Sequence, residues 1–122
     1  MDRLAALAMT AEGSNQMIIR EWRGRALPAR AQEYPAHFRR NVLPELLHID
    51  GFCGAHLSQR RNADSVEFLV LTRWRSLDAI RAFAGDHPER AVVEPQAVAA
   101  LTDFDPLVRH YEVLEDVSPP SG

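Results

Sequence analysis

The stretch Ser65–Trp74, SVEFLVLTRW, constrains this chain more than any other. Side chains alternate along a strand, so Val66, Phe68, Val70, Thr72 and Trp74 share one face, and Leu69 and Leu71 occupy the other. A strand that is apolar on both faces needs a cover on both. The chain is therefore organised around a sheet whose two sides are each packed against something.

The neighbouring segments supply the rest of that sheet. MIIREWRGR (Met17 to Arg25) is rich in β-formers and has no breaker before Gly24, so it is the first strand. In the following segment, Tyr34, Phe38, Val42 and Leu46 recur every four residues, which predicts a helix. Pro35 and Pro44 interrupt it, so the helix is kinked or starts late. Asp50-Gly51 marks a turn. FCGAHLSQRR is the second strand, weakened by Gly54, and NADS is a hairpin connection into the third. Ser76 is placed to cap a helix over LDAIRAFAG, with Asp78 in its first turn and Gly85 at its end. DHPERAVVEPQAVAAL predicts short helical pieces broken at Pro88 and Pro95. LVRHYEVLE (Leu107 to Glu115) is the fourth strand. The order β-α-β-β-α-β is the ferredoxin-like α+β arrangement.

Residues 1–16 read as a flexible extension, 17–115 as one domain, and 116–122 as a disordered tail. A length of 122 residues suits one domain. The net charge of −3 offers no surplus to attract nucleic acid. Cys53 is the only cysteine, so no internal disulfide is expected. The histidines are scattered, without the pairing or carboxylate cluster of a metal site. No stretch reads as a signal peptide or membrane span, and a cytoplasmic location is expected. Phosphate-cradling glycine loops and nucleophile elbows are also missing.

In a ferredoxin-like fold the helices cover one sheet face only. Leu69, Leu71 and the adjacent Ile18 and Ile19 imply apolar residues on the other, which predicts a homodimer formed through the sheet faces.

The run IIREWRG…GFCGAHLSQRR…VEFLVLTRWRSLDAIRAFAG, followed by FDPLVRHYEV, resembles the antibiotic biosynthesis monooxygenase family. The resemblance implies a dimeric α/β barrel with a cavity between the sheet and the helices of each subunit. It also implies one of two chemistries. One branch oxidises phenolic polyketide precursors with dioxygen and no metal or organic cofactor. The other binds and degrades haem through an Asn, a Trp and a ligand His. Trp74 matches the family's pocket tryptophan. Trp22 stands nearest the position of the Asn, which is a departure, and His87 is the counterpart offered for the haem ligand.

Trp22 and Trp74 are thus expected to flank a site for a small aromatic ligand, with Phe68, Phe83 and Tyr111 as further contacts. Equally, Trp74 would serve as a plug in the core, its indole N–H bonded to a neighbour. His56 and His110 lie on strands, and either, if turned into the cavity, is a candidate proton acceptor near neutral pH. The leading expectation is a cofactor-independent monooxygenase acting on an aromatic or polyketide-like molecule. Its alternatives are a haem-degrading enzyme and a non-catalytic binding or stress-response module.

Overall fold

A computed structural model describes residues 17–120 of the chain. The expected extension over residues 1–16 lies outside them, as do Ser121 and Gly122. Strands β1 (Ile18–Ala26), β2 (Phe52–Arg61) and β3 (Val66–Trp74) form the body of one antiparallel sheet in the order β2-β3-β1. The outer edge of β1 carries two short strands, β4 (Asp103–Phe104) at one end and β5 (Arg109–Glu112) at the other. Four helices, α1 (Glu33–His37), α2 (Leu43–Leu47), α3 (Leu77–Ala84) and α4 (Pro95–Ala100), complete the ferredoxin-like α+β fold.

β3 is buried at every second residue from Val66 to Trp74, as its sequence requires. Its other face is mixed. Leu69 and Leu71 are half-buried there, but their partners across β1 are Arg23 and Glu21. Ion pairs run over this face, Arg23 to Glu21 at 2.9 Å and Arg60 to Glu67 at 3.2 Å. The apolar part is a strip containing Ile19, Leu69, Leu71 and Tyr111, narrower than the sequence suggested.

The first helical region is interrupted as the prolines predict, and a π turn (Phe38–Val42) joins α1 to α2. This turn explains the four-residue spacing. In a straight α-helix each step of four overshoots a full turn by about 40°, so Tyr34 and Leu46 would point in different directions. The wider π turn absorbs the excess. Tyr34, Phe38, Val42 and Leu46 consequently all face the sheet and line the same cleft.

The hydroxyl of Ser76 accepts from the Ala79 N–H at 3.1 Å, capping α3 as its sequence implies. Two expectations need correction. The region from Asp86 to Glu94 holds no helix, and only Pro95–Ala100 is helical, with proline in its first turn. The fourth strand is shorter than Leu107 to Glu115, spanning Arg109–Glu112, and a separate two-residue strand, Asp103–Phe104, precedes Pro106, which cannot donate to a ladder. Between them the chain leaves β1 and pairs instead with the preceding loop. Ala91 N–H donates to Pro106 O at 2.9 Å and Val108 N–H to Glu89 O at 2.8 Å. Beyond β5, residues 113–120 contain no helix or strand.

Candidate functional site

The helix-facing side of the sheet and the broken helical arm enclose a cleft. β1 contributes Arg20 and Trp22 to it, β3 contributes Val70 and Thr72, and α3 contributes Phe83. Tyr34, His37, Phe38, Val42 and Leu46 form the opposite wall, and Val92 and Val93 close one side. The space that water can occupy is about 40 Å³, room for roughly three molecules. A ring-sized ligand must displace side chains, and Val92 and Val93 stand on the wall without regular structure.

Trp22 is a wall of this cleft. Its indole N–H donates to Asp105 O at 3.0 Å, and its ring lies 5.4 Å from that of Tyr34. Gly24 makes room for it: a Cβ there would stand 2.7 Å from Trp22 Cη2. Burial pushes the Tyr34 hydroxyl's pKa up, so it stays protonated.

Trp74 occupies a different place. It is fully buried, donates to Thr72 Oγ1 at 2.8 Å, and packs edge-on against Phe52. Phe83, at 6.0 Å, separates it from the cleft. Phe68 is equally buried, beneath Tyr34 at 5.3 Å. Of the aromatic residues expected to contact a ligand, Trp22 and Phe83 line the cleft, while Trp74 and Phe68 support it from behind.

Strand register settles which way the polar candidates face. His56 pairs with Leu71 and Tyr111 with Ile19, so both stand on the mixed face, away from the cleft. His110 pairs with Arg20, on the helix side. It borders a separate shallow opening with Ile18 and Leu77. Burial, then the charge of Arg20, hold its pKa below the ordinary histidine value, with Glu89 acting in the opposite direction.

Two basic cleft residues were not anticipated as site residues. His37 is buried and held from both sides, Nδ1 at 2.9 Å from Asn41 Nδ2 and Nε2 at 3.2 Å from Glu94 Oε1. Both ring nitrogens are engaged. Arg20 is 6% exposed, donates from Nη2 to Arg90 O at 2.7 Å and lies over the Phe83 ring at 5.5 Å. No carboxylate pairs with it among the described residues, and burial pulls its pKa down to about 10. The signal for Arg20 was its parity with Trp22; His37 gave none beyond its place one residue before Phe38.

Haem, which the resemblance implies for one branch, does not fit these residues. His87 is 62% exposed, with Nδ1 3.7 Å from Glu89 Oε2, and does not line the cleft. His37 does line it, but offers no free nitrogen. Among the described residues no group of three or more His, Cys, Asp or Glu side chains converges as a metal site requires. None of their helices is long and apolar enough to cross a membrane.

Comparison with solved structures supports the fold. A Bacillus cereus protein named for the antibiotic biosynthesis monooxygenases superposes with a TM-score of 0.60 at 14% identity, covering 86% of this chain and all of its own. The haem degrader MhuD from Mycobacterium tuberculosis, solved with two haems bound in its active site, gives 0.55 at 21% identity, over 82% of this chain and 99% of its own. SnoaB from Streptomyces nogalater, a cofactor-independent oxygenase, gives 0.51 at 15%, over 88% of this chain and all of its own. No curated protein sequence matches. The profile of the antibiotic biosynthesis monooxygenases matches residues 17–94, well over half the chain, which therefore belongs to the antibiotic biosynthesis monooxygenase family.

Proposed function

We propose that the protein oxidises a flat aromatic or polyketide-like molecule with dioxygen and without a resident cofactor. The observation that carries this reading is the cleft walled by Trp22, Tyr34, Phe38 and Phe83. Such walls bury a planar ring by stacking and exclude water from its reacting carbon. His87 stands outside the cleft and His37 has both ring nitrogens engaged, which favours this reading over haem degradation, and the fold shared with SnoaB is compatible with it.

The chemistry balances without a further reductant. A base removes a proton from an activated CH₂ of an anthrone-like substrate, and the carbanion passes an electron to dioxygen. The two radicals combine at carbon, and the peroxide loses water to leave a carbonyl. One CH₂ and one O₂ become one C=O and one H₂O. Of the two strand histidines, His110 is the proton acceptor in this proposal, since His56 stands on the other face. The mixed face would bury its strip of Ile19, Leu69, Leu71 and Tyr111 against a second copy, giving a homodimer.

The test is oxygen uptake with a panel of anthrones and naphthols, alongside haemin titration. Saturable turnover that falls at least tenfold in Phe38→Ala supports the reading. No uptake with any member, or a saturable Soret shift near one haem per chain, overturns it. A monomer mass at every concentration in sedimentation refutes the dimer.

A further inference from the structure

Two buried side-chain nitrogens have no hydrogen-bond partner among the described residues, Arg20 Nε and His110 Nε2. They belong to residues directly opposite each other across β1 and β5, so both side chains rise from the helix side of the sheet. Cβ atoms in such a pair are about 4.5–5.5 Å apart. Arg20 lines the cleft and its cross-strand partner His110 lines a separate shallow opening.

The two nitrogens differ in kind. Guanidinium Nε–H can only donate. His110 is surrounded by burial and by the Arg20 charge, both of which favour the neutral ring, and Glu89 is the one carboxylate that opposes them. A neutral imidazole carries an accepting nitrogen. Arg20 Nη2 is already bound to the Arg90 and Pro88 carbonyls, at 2.7 and 3.4 Å. The pair thus holds one unused donor and one unpartnered ring nitrogen, on residues that stand opposite each other on one face of the sheet.

A ketone oxygen would satisfy Arg20 and leave His110 unpaired. A carboxylate would turn lone pairs toward a lone pair. A hydroxyl satisfies both, accepting from Arg20 and donating to His110. If the hydroxyl is acidic, its O–H bond can break, the proton forming N–H at His110 Nε2 and the charge remaining on oxygen beside the guanidinium. At a buried site that attraction is far stronger than in water.

We propose that Arg20 and His110 form an oxygen subsite that binds an acidic hydroxyl of the substrate, a phenol or an enol, and ionises it. Arg20 is then a catalytic residue, holding the oxyanion from which electron density reaches the reacting carbon. The inference rests on the cleft being an aromatic-substrate site, and the experiment separates the two.

The probes are 4-nitrophenol and 4-nitro-1-naphthol, whose coloured anions report their own ionisation, with 4-nitroanisole as the analogue lacking a hydroxyl. Bound to the full-length protein, the phenol's pKa falls by at least one unit, the anion binding at least tenfold more tightly than the neutral form. Nitroanisole binds correspondingly more weakly. Arg20→Gln removes the shift and Arg20→Lys keeps only part of it. Histidine NMR shows the His110 ring gaining a proton on binding, a signal a merely structural role would not produce. A bound phenol with an unchanged or raised pKa overturns the oxygen subsite and leaves the aromatic cleft standing. Failure of every probe to bind overturns the cleft reading, and the subsite with it.

Discussion

Replacing Arg20 with methionine tests whether this buried charge is held for function or for stability. Burial brings the guanidinium pKa down from the usual ~12.5 to about 10, equivalent to about 3 kcal/mol of unfavourable desolvation in the folded state. Two interactions offset that cost. The charged hydrogen bond from Nη2 to Arg90 O contributes about 1.5–3 kcal/mol. The Phe83 ring beneath the guanidinium adds about 0.5–2 kcal/mol. Methionine fills similar volume without a charge, so gains and losses nearly cancel. The expected change in unfolding free energy is less than about 1 kcal/mol in either direction, as for other buried charges replaced by apolar isosteres. Urea denaturation followed by circular dichroism and tryptophan fluorescence measures it, provided the m-value is unchanged. A loss above about 3 kcal/mol would mean that Arg20 is a structural keystone, and the reasoning from desolvation would be refuted. Stability retained together with loss of the nitrophenol shift is the combination expected of a functional charge.

Three further outcomes follow from the geometry. Trp74→Ala should cost about 3–5 kcal/mol, and Thr72→Val about 1–3 kcal/mol by leaving the indole N–H unpaired, both read from denaturation midpoints. Gly24→Ala should cost about 1–3 kcal/mol and displace the Trp22 ring, visible as a change in near-ultraviolet circular dichroism; an unchanged spectrum would contradict the close contact. The folded-state pKa of His110 is lowered, so below the ordinary histidine value the unfolded chain binds protons that the fold excludes. Stability should therefore fall as pH drops through that window and be complete above it, and His110→Gln should flatten this part of the profile between about pH 5 and 7.5.

Much of the fold was legible because it follows from local rules. The alternation in β3, the Ser76 cap and the second strand's limits need only a period of two and a capping hydroxyl. The short strand Asp103–Phe104 and the late start of the last strand were not legible, since they go with Pro106 and Val108 bonding a loop some fifteen to twenty residues back. The site divided similarly. Trp22 shared its parity with the core, and the stripe from Tyr34 to Leu46 was visible as a pattern. That stripe read as a helix and not as a cleft wall, because its place opposite the sheet follows only from the tertiary fold. Arg20 was hidden by its type: arginines are mostly exposed, and nothing local marks one that is buried. His56 and His110 could not be separated until the register was known, since a slip of one residue reverses the face.

Arg90 joins two parts of the molecule that otherwise act separately. Its carbonyl holds the guanidinium of Arg20, and Val92 and Val93, two and three residues later, close the side of the cleft. The same segment is fastened behind by Ala91 to Pro106 and by Val108 to Glu89. On the proposed reading, a ring that displaced the valines would pull on the carbonyl that steadies the charge, so admission of a guest and freeing of the guanidinium would be one movement, as when a door and its latch are cut from the same plank.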